Sequence, residues 1–220
     1  MKYDIVLADP AWQYRDKAKA GDRGAECKYP VMSLADLKLL PVQDIAAPRS
    51  VLFLWVTMPL LAEGLAVMSA WGFTYKTNAF TWVKRCQNGK WFKGMGRYSR
   101  ANAELCILGT RGQPLPRVSC GVGSLVEAPR GRHSAKPPEV RDRIVSLFGD
   151  RPRVELFARE CCEGWGSLGY DIDSQDLRES IPALASAAPP RALALPPQAT
   201  APTPKTTPTD CSAPVADTAS

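Results

Sequence analysis

Tyr3-Asp4-Ile5-Val6-Leu7-Ala8-Asp9-Pro10-Ala11-Trp12 is the stretch on which the reading of this chain turns. Tyr3 to Ala8 is a short, nearly unbroken apolar run with Ile and Val at its centre. It lacks the apolar–polar alternation of a strand with one wet face, so it reads as a strand covered on both faces, the pattern of a largely parallel sheet flanked by helices. Asp9-Pro10 closes the run, because proline has no N–H to offer a sheet and fixes its own φ.

Working outward, Val51 to Val56 (VLFLWV) repeats the buried-strand pattern. Ser33 with Asp36 three residues on resembles a capping box ahead of Leu34, Leu37, Leu39 and Leu40, and Pro41 ends that turn. Pro59 opens a second helix that Gly72 closes. Phe73–Lys84 and Ala103–Leu108 read as strands separated by a Gly- and Lys-rich loop. After Pro137, Val140, Ile144, Val145, Leu147 and Phe148 fall on one helical face up to Gly149, and Arg153–Ala158 (RVELFA) reads as the last strand. Strands alternating with helices in this way predict a three-layer α/β fold.

At 45% hydrophobic and 23% charged, the 220 residues suit one globular domain with a sizeable core. That domain is expected to span 1–173. From Ser174 to Ser220 the chain turns to Ala, Pro, Thr and Ser with no aromatic residue, which reads as a disordered tail unable to offset its ordering entropy. The net charge of +6 suits a polyanionic partner. The tail is nearly neutral, with Arg178, Arg191 and Lys205 against Asp176, Glu179, Asp210 and Asp217, so the positive excess belongs to 1–173. No secretory signal and no apolar stretch of about 20 residues is present, and the chain is expected in the cytoplasm and off the membrane. Seven scattered cysteines without a Cys-x-x-Cys spacing, and a lone His133, do not suggest a metal site.

Asp9-Pro10-Ala11-Trp12 falls just past the carboxyl end of the first strand, where open α/β sheets place their ligands. In isolation an Asp-Pro pair there reads equally as a turn. Its groups nevertheless suit a particular chemistry, since the Asp9 carboxylate and the Pro10 carbonyl are two acceptors that can hold the N–H bonds of an aromatic amino group. That would free the nitrogen lone pair from the ring. Trp12 adds a flat face for a purine. A basic segment, Lys84, Arg85, Lys90, Lys93, Arg97 and Arg100, is interleaved with Trp82, Trp91, Phe92 and Tyr98, around Gly94-Met95-Gly96. It reads either as a loop that grips phosphates and stacks bases or as a solvated hairpin tip.

The chain resembles the MT-A70 family of adenine-N6 methyltransferases through nearly all of 1–173. The resemblance is carried, in order, by DIVLADPAW, KYPVMSLADL, VLFLWVT, WGFTYKTNAFTWVK, AELCILGTRG, SAKPPEVRDRIVSLF and RVELFARECCEGWGSLGYD. It implies a Rossmann-like methyltransferase fold in permuted order, with the catalytic strand first and the cofactor strand last. It implies transfer of a methyl group from S-adenosylmethionine directly to adenine N6 in nucleic acid, DNA before RNA. A non-catalytic nucleic-acid-binding subunit is the other class of reading, and monomer and homodimer remain equally open.

Position by position, the resemblance makes Asp9, Pro10 and Trp12 catalytic. It puts Tyr29 and Glu104 on the substrate, to which the basic segment adds Lys84, Arg97, Tyr98 and Arg100, and it puts Asp9, Lys136, Phe157, Arg159, Tyr170 and Asp171 on the cofactor. The chain departs from the family pattern at Ala11, where a second proline is usual, and at Cys161-Cys162 and Tyr170-Asp171, where other polar pairs are common. Ala11 is expected to loosen the catalytic loop without removing a functional group.

Overall fold

The computed structural model describes residues 2–12, 32–96, 98–131 and 135–186. Seven strands make one sheet: β1 (Tyr3–Ala8), β2 (Ala46–Val56), β3 (Thr74–Arg85), β4 (Ala103–Arg111), β5 (Leu125–Pro129), β6 (Arg153–Leu156) and β7 (Gly166–Leu168), in the order β5-β3-β4-β2-β1-β6-β7. β1 lies between β2 and β6 and runs parallel to both. The expected α/β fold is present.

The sheet is mixed but, as expected, largely parallel, with four of its six strand pairings parallel. β4 runs antiparallel to β2 and to β3. The reason is local: no helix lies between β3 and β4, so the chain returns as a hairpin, whereas a parallel neighbour needs a crossover. β5 and β7 carry no clear sequence signal. Each is short, at 5 and 3 residues, and each pairs along one edge only.

Two cores confirm three layers. Side chains alternate along β2, so Val51, Phe53 and Trp55 join Ile5, Leu7, Phe80 and Trp82 on one face. Helix α3 (Glu139–Phe148) covers that face with Val140, Ile144 and Phe148. Phe53 stacks on Phe80 at 5.8 Å and meets Phe148 edge-on at 6.2 Å; each such fully buried side chain contributes about 1.5–3 kcal/mol. Leu52, Leu54 and Val56 turn to the opposite face with Val6 and Ala8. There they meet Leu37 of α1 (Leu34–Leu39) and Val67 and Met68 of α2 (Leu61–Ala70).

Local signals behave as their chemistry dictates. Ser33 Oγ accepts from the Asp36 amide at 3.1 Å, capping α1. Gly149 ends α3 with φ +77, a conformation that favours glycine.

The boundary of the folded part lies later than expected. After the short α4 (Tyr170–Asp173), a further helix α5 (Leu177–Ser186) buries Leu177 and Ile181 in the second core. Its apolar positions 177, 181 and 184 recur at helical spacing, a signal that the Pro- and Ala-rich composition around them obscures. The remainder of the expected tail, 187–220, lies outside the described residues. No helix among the described residues is long and apolar enough to cross a membrane.

Candidate active site

The parallel strands β1, β2 and β6 end at a common rim, and the first polar group there is Asp9. Its amide continues the ladder to the Leu156 carbonyl of β6 at 3.4 Å. Its carboxylate, 15% exposed, faces across the rim. Both oxygens accept from the Lys136 ammonium, at 2.7 and 2.8 Å. Lys136 comes from the segment before α3, 127 residues away in sequence.

Lys136 is shared. Glu104 of β4 approaches its ammonium at 3.4 Å and is itself bound by Lys84 of β3. The result is an alternating chain, Asp9–Lys136–Glu104–Lys84, in which all four side chains are at most 16% exposed. It rests on two indoles, with Lys136 5.6 Å from the Trp55 ring, Lys84 5.0 Å from the Trp82 ring, and the two rings packed edge to face. The cation–π contacts help to hold charges that burial has partly stripped of water.

Burial by itself would raise the pKa of Glu104, but the two ammonium groups outweigh it, and the carboxyl stays below its ordinary value. The same logic, reversed in sign, applies to Lys136: burial favours the neutral amine, Asp9 and Glu104 favour the ammonium, and the pKa ends above its ordinary value. Cys106, the β4 neighbour of this chain, is fully enclosed. Burial, and secondarily the Asp9 charge, push its thiol well up, so it is an inert packing group.

The loop after Asp9 is tight. Trp12 donates its backbone N–H to the Pro10 carbonyl at 2.8 Å. That carbonyl retains a second lone pair for another donor. Trp12 differs from expectation: its ring is 7% exposed, belongs to the core on the α1 and α2 side, and donates its indole N–H to the Trp55 carbonyl at 3.1 Å. The face that the sequence suggests for stacking is turned into the core here, with the indole N–H satisfied by the Trp55 carbonyl.

Across the rim, β6 ends at Leu156 because Phe157 adopts φ +61, the left-handed region that a non-glycine residue enters at a cost. The turn brings Phe157 and Ala158 against Gly169, where an added Cβ would fall 2.2 Å from the Ala158 oxygen. Gly169 therefore delivers Tyr170 and Asp171, both exposed in the first turn of α4, to the carboxyl end of β7. Arg159 is half-buried on the segment between β6 and β7. Behind the rim, Glu155 of β6 is clamped by the Arg141 guanidinium through two hydrogen bonds of 2.7 and 3.2 Å.

The remaining candidate residues divide. Lys84 turns inward to Glu104. Arg100 lines an outer groove, and Tyr98 is fully exposed. Tyr29 and Arg97, expected on the substrate, lie outside the described residues, as does His133. Sequence reasoning names the members of the charge chain but not the chain itself, because partners 20 and 127 residues apart leave no spacing signal.

A Rossmann-like sheet with a carboxylate and a lysine at its carboxyl rim defines a class, the α/β enzymes that hold their ligands over the strand ends. Residues 3–171 match the MT-A70 family, and the chain belongs to it. It is 35% identical over 193 residues to the type II methyltransferase M.MunI of Mycoplasma sp, covering 80% of each chain. It is 26% identical to the N6-methyladenosine RNA methyltransferase MTA1 of Cryphonectria parasitica and 25% identical to the human N(6)-adenine-specific methyltransferase METTL4. Those two matches take in 77% of this chain but only 52% and 37% of the relatives. The chain is a methyltransferase of the MT-A70 family.

Proposed function

We propose that this methyltransferase modifies the N6 amino group of adenine in DNA, using S-adenosylmethionine. The observation that carries the reading is Asp9: a partly buried carboxylate at the end of the central strand, one residue before a backbone carbonyl that can accept more than one hydrogen bond. The fungal and human relatives carry the N6 position of adenine in their names. DNA is favoured over RNA by the higher identity and fuller coverage of the type II methyltransferase than of the RNA methyltransferase.

The residues at the rim fit the cofactor. Asp171 and Tyr170 are exposed acceptors where Gly169 lets the backbone close on Phe157, suited to ribose hydroxyls, with Phe157 and Arg159 alongside. Lys136 supplies a cation for a carboxylate. When bound, S-adenosylmethionine supplies a methyl group activated by the neighbouring sulfonium, open to direct displacement by the target nitrogen.

Asp9 then accepts one N–H of the amino group and the Pro10 carbonyl the other, which directs the lone pair forward. Lys136 holds the Asp9 carboxylate in place through both oxygens, and Glu104 holds Lys136. Positioning of this kind accounts for much of an enzyme's acceleration. In this reading β1 is the catalytic strand and β6 the cofactor strand, the permuted order, and the enzyme works in the cytoplasm.

Incubation with labelled S-adenosylmethionine and unmodified DNA or RNA, followed by digestion to nucleosides, tests the proposal. Label is expected in N6-methyldeoxyadenosine, and Asp9→Asn should lose on the order of 10²–10³-fold in kcat, the scale of a single preorganised polar contact. Label in RNA alone overturns the substrate. Full activity in Asp9→Asn overturns the mechanism.

A further inference from the structure

Directly outside the charge chain, the β3–β4 connection encloses a groove of about 460 Å³ lined by Val83, Trp91, Phe92, Lys93, Arg100 and Asn102. The groove is built. Trp91 bridges back to Arg85, and Cys86 donates to the Lys90 carbonyl at 2.8 Å, closing the first turn. Gly94 donates to Ala101 at 2.8 Å, and a Cβ on Gly94 would lie 2.3 Å from the Ala101 oxygen, so glycine permits the return of the second. Two guanidinium groups brace the aromatic wall, Arg85 at 3.2 Å from the Trp91 ring and Arg130 at 4.1 Å from the Phe92 ring. Trp91 is nevertheless 47% exposed.

The electrostatics select the occupant. No Asp or Glu occurs between Cys86 and Asn102, while Lys90, Lys93, Arg97 and Arg100 do. An aromatic wall with cations around it suits a base with its phosphate, and the Asn102 amide offers a donor and an acceptor to a base edge. The groove is coupled to the site through Lys84, whose backbone donates to Asn102 and accepts from Phe92, at 2.8 and 3.0 Å, while its side chain holds Glu104.

We propose that this groove is a second nucleotide subsite, holding a base that flanks the target adenine in a single-stranded or locally opened strand. The base lies on Trp91, its edge meets Asn102, and the adjoining phosphate meets Lys93 and Arg100. This rests on the reading of the enzyme as acting on nucleic acid, and it assigns short-range sequence preference to Asn102.

The test is equilibrium binding of the full chain to a labelled single-stranded oligodeoxynucleotide of about ten nucleotides with one central adenine. Trp91→Ala should weaken binding about tenfold and Trp91→Phe should restore most of it. Arg100→Ala should weaken binding and lower the slope of log affinity against log salt by about one. Asn102→Ala should flatten the preference among neighbouring bases. In turnover on the same oligonucleotide, Trp91→Ala should raise KM with kcat and S-adenosylmethionine affinity unchanged.

Unchanged oligonucleotide affinity in Trp91→Ala and Arg100→Ala overturns the subsite. So does a Trp91→Ala protein that loses self-association and keeps its affinity, since the groove would then seat a second copy of the chain. A wild-type protein that binds through Trp91 yet methylates no adenine leaves the subsite standing and sinks the proposed activity instead.

Discussion

Lys84 and Arg85 are neighbours on β3, and they place the same charge in opposite settings. Lys84 turns in, where it and Glu104 are 16% and 11% exposed, and it joins a chain that ends on Asp9. Arg85 turns out to Glu127, 42% exposed, and lays its guanidinium on a half-exposed Trp91. Charges removed from water must satisfy one another, so each member of the inner chain depends on the others. Charges at the outer groove remain wet and can exchange a protein partner for a ligand at little cost. The difference separates a site that fixes geometry from a surface that recruits substrate.

The sharpest way to break this contrast is at Glu104. Glu104→Leu leaves Lys84 and Lys136 facing one another with no carboxylate between them, and the loss of one partner of a buried pair costs about 3–5 kcal/mol. Chemical unfolding should show that loss. The double variant Lys84→Met/Glu104→Leu should recover much of it, since removing both charges also removes the unpaired one. A single variant as stable as wild type would show that the inner chain is as wet as the outer one.

The pH dependence sharpens the same point. The carboxyl of Glu104 sits below its ordinary value of 4.5 in the folded protein, so its contribution is complete above about 4.5 and is lost as pH falls through the lower folded value. Lys136 is raised above its ordinary value of 10.5, so its contribution is complete below about 10.5 and is lost as pH rises through the higher folded value. The stability gap between wild type and Glu104→Leu should therefore be a plateau across neutral pH, narrowing at both extremes. A gap that did not change with pH would mean that the substitution acts through packing alone.

The two regions also differ in how legible they are in the sequence. Asp9, Pro10, Glu104 and Lys136 can be named because a buried strand followed by Asp-Pro has few readings and the family pattern runs in order around it. Their alternation cannot, because the pairing is made by the sheet order β4-β2-β1, which no local spacing encodes. Trp12 is ambiguous for a related reason: an aromatic at a strand end serves a base or a core equally well, and the carbonyl that accepts its indole N–H lies 43 residues away in sequence. The groove is half legible. Its cations and aromatics stand out, but Lys84 and Trp82 fall to the inner face by strand alternation, and Asn102 has no signal of its own. Helix α5 is hidden by composition, since three apolar residues at helical spacing sit among prolines and alanines.

The smallest expected effect tests the outer half of the comparison. Glu127→Gln removes the acidic partner of Arg85 at an exposed site, and should cost less than about 1 kcal/mol, a loss that moderate salt hides. It should instead strengthen oligonucleotide binding modestly at low salt, since Arg85 then keeps its place on Trp91 with its charge uncompensated. The gain should vanish as salt screens the phosphates. If Glu127→Gln destabilised the fold as strongly as Glu104→Leu, the β3 edge would be part of the buried framework, and the division between Lys84 and Arg85 would fail at its outer end.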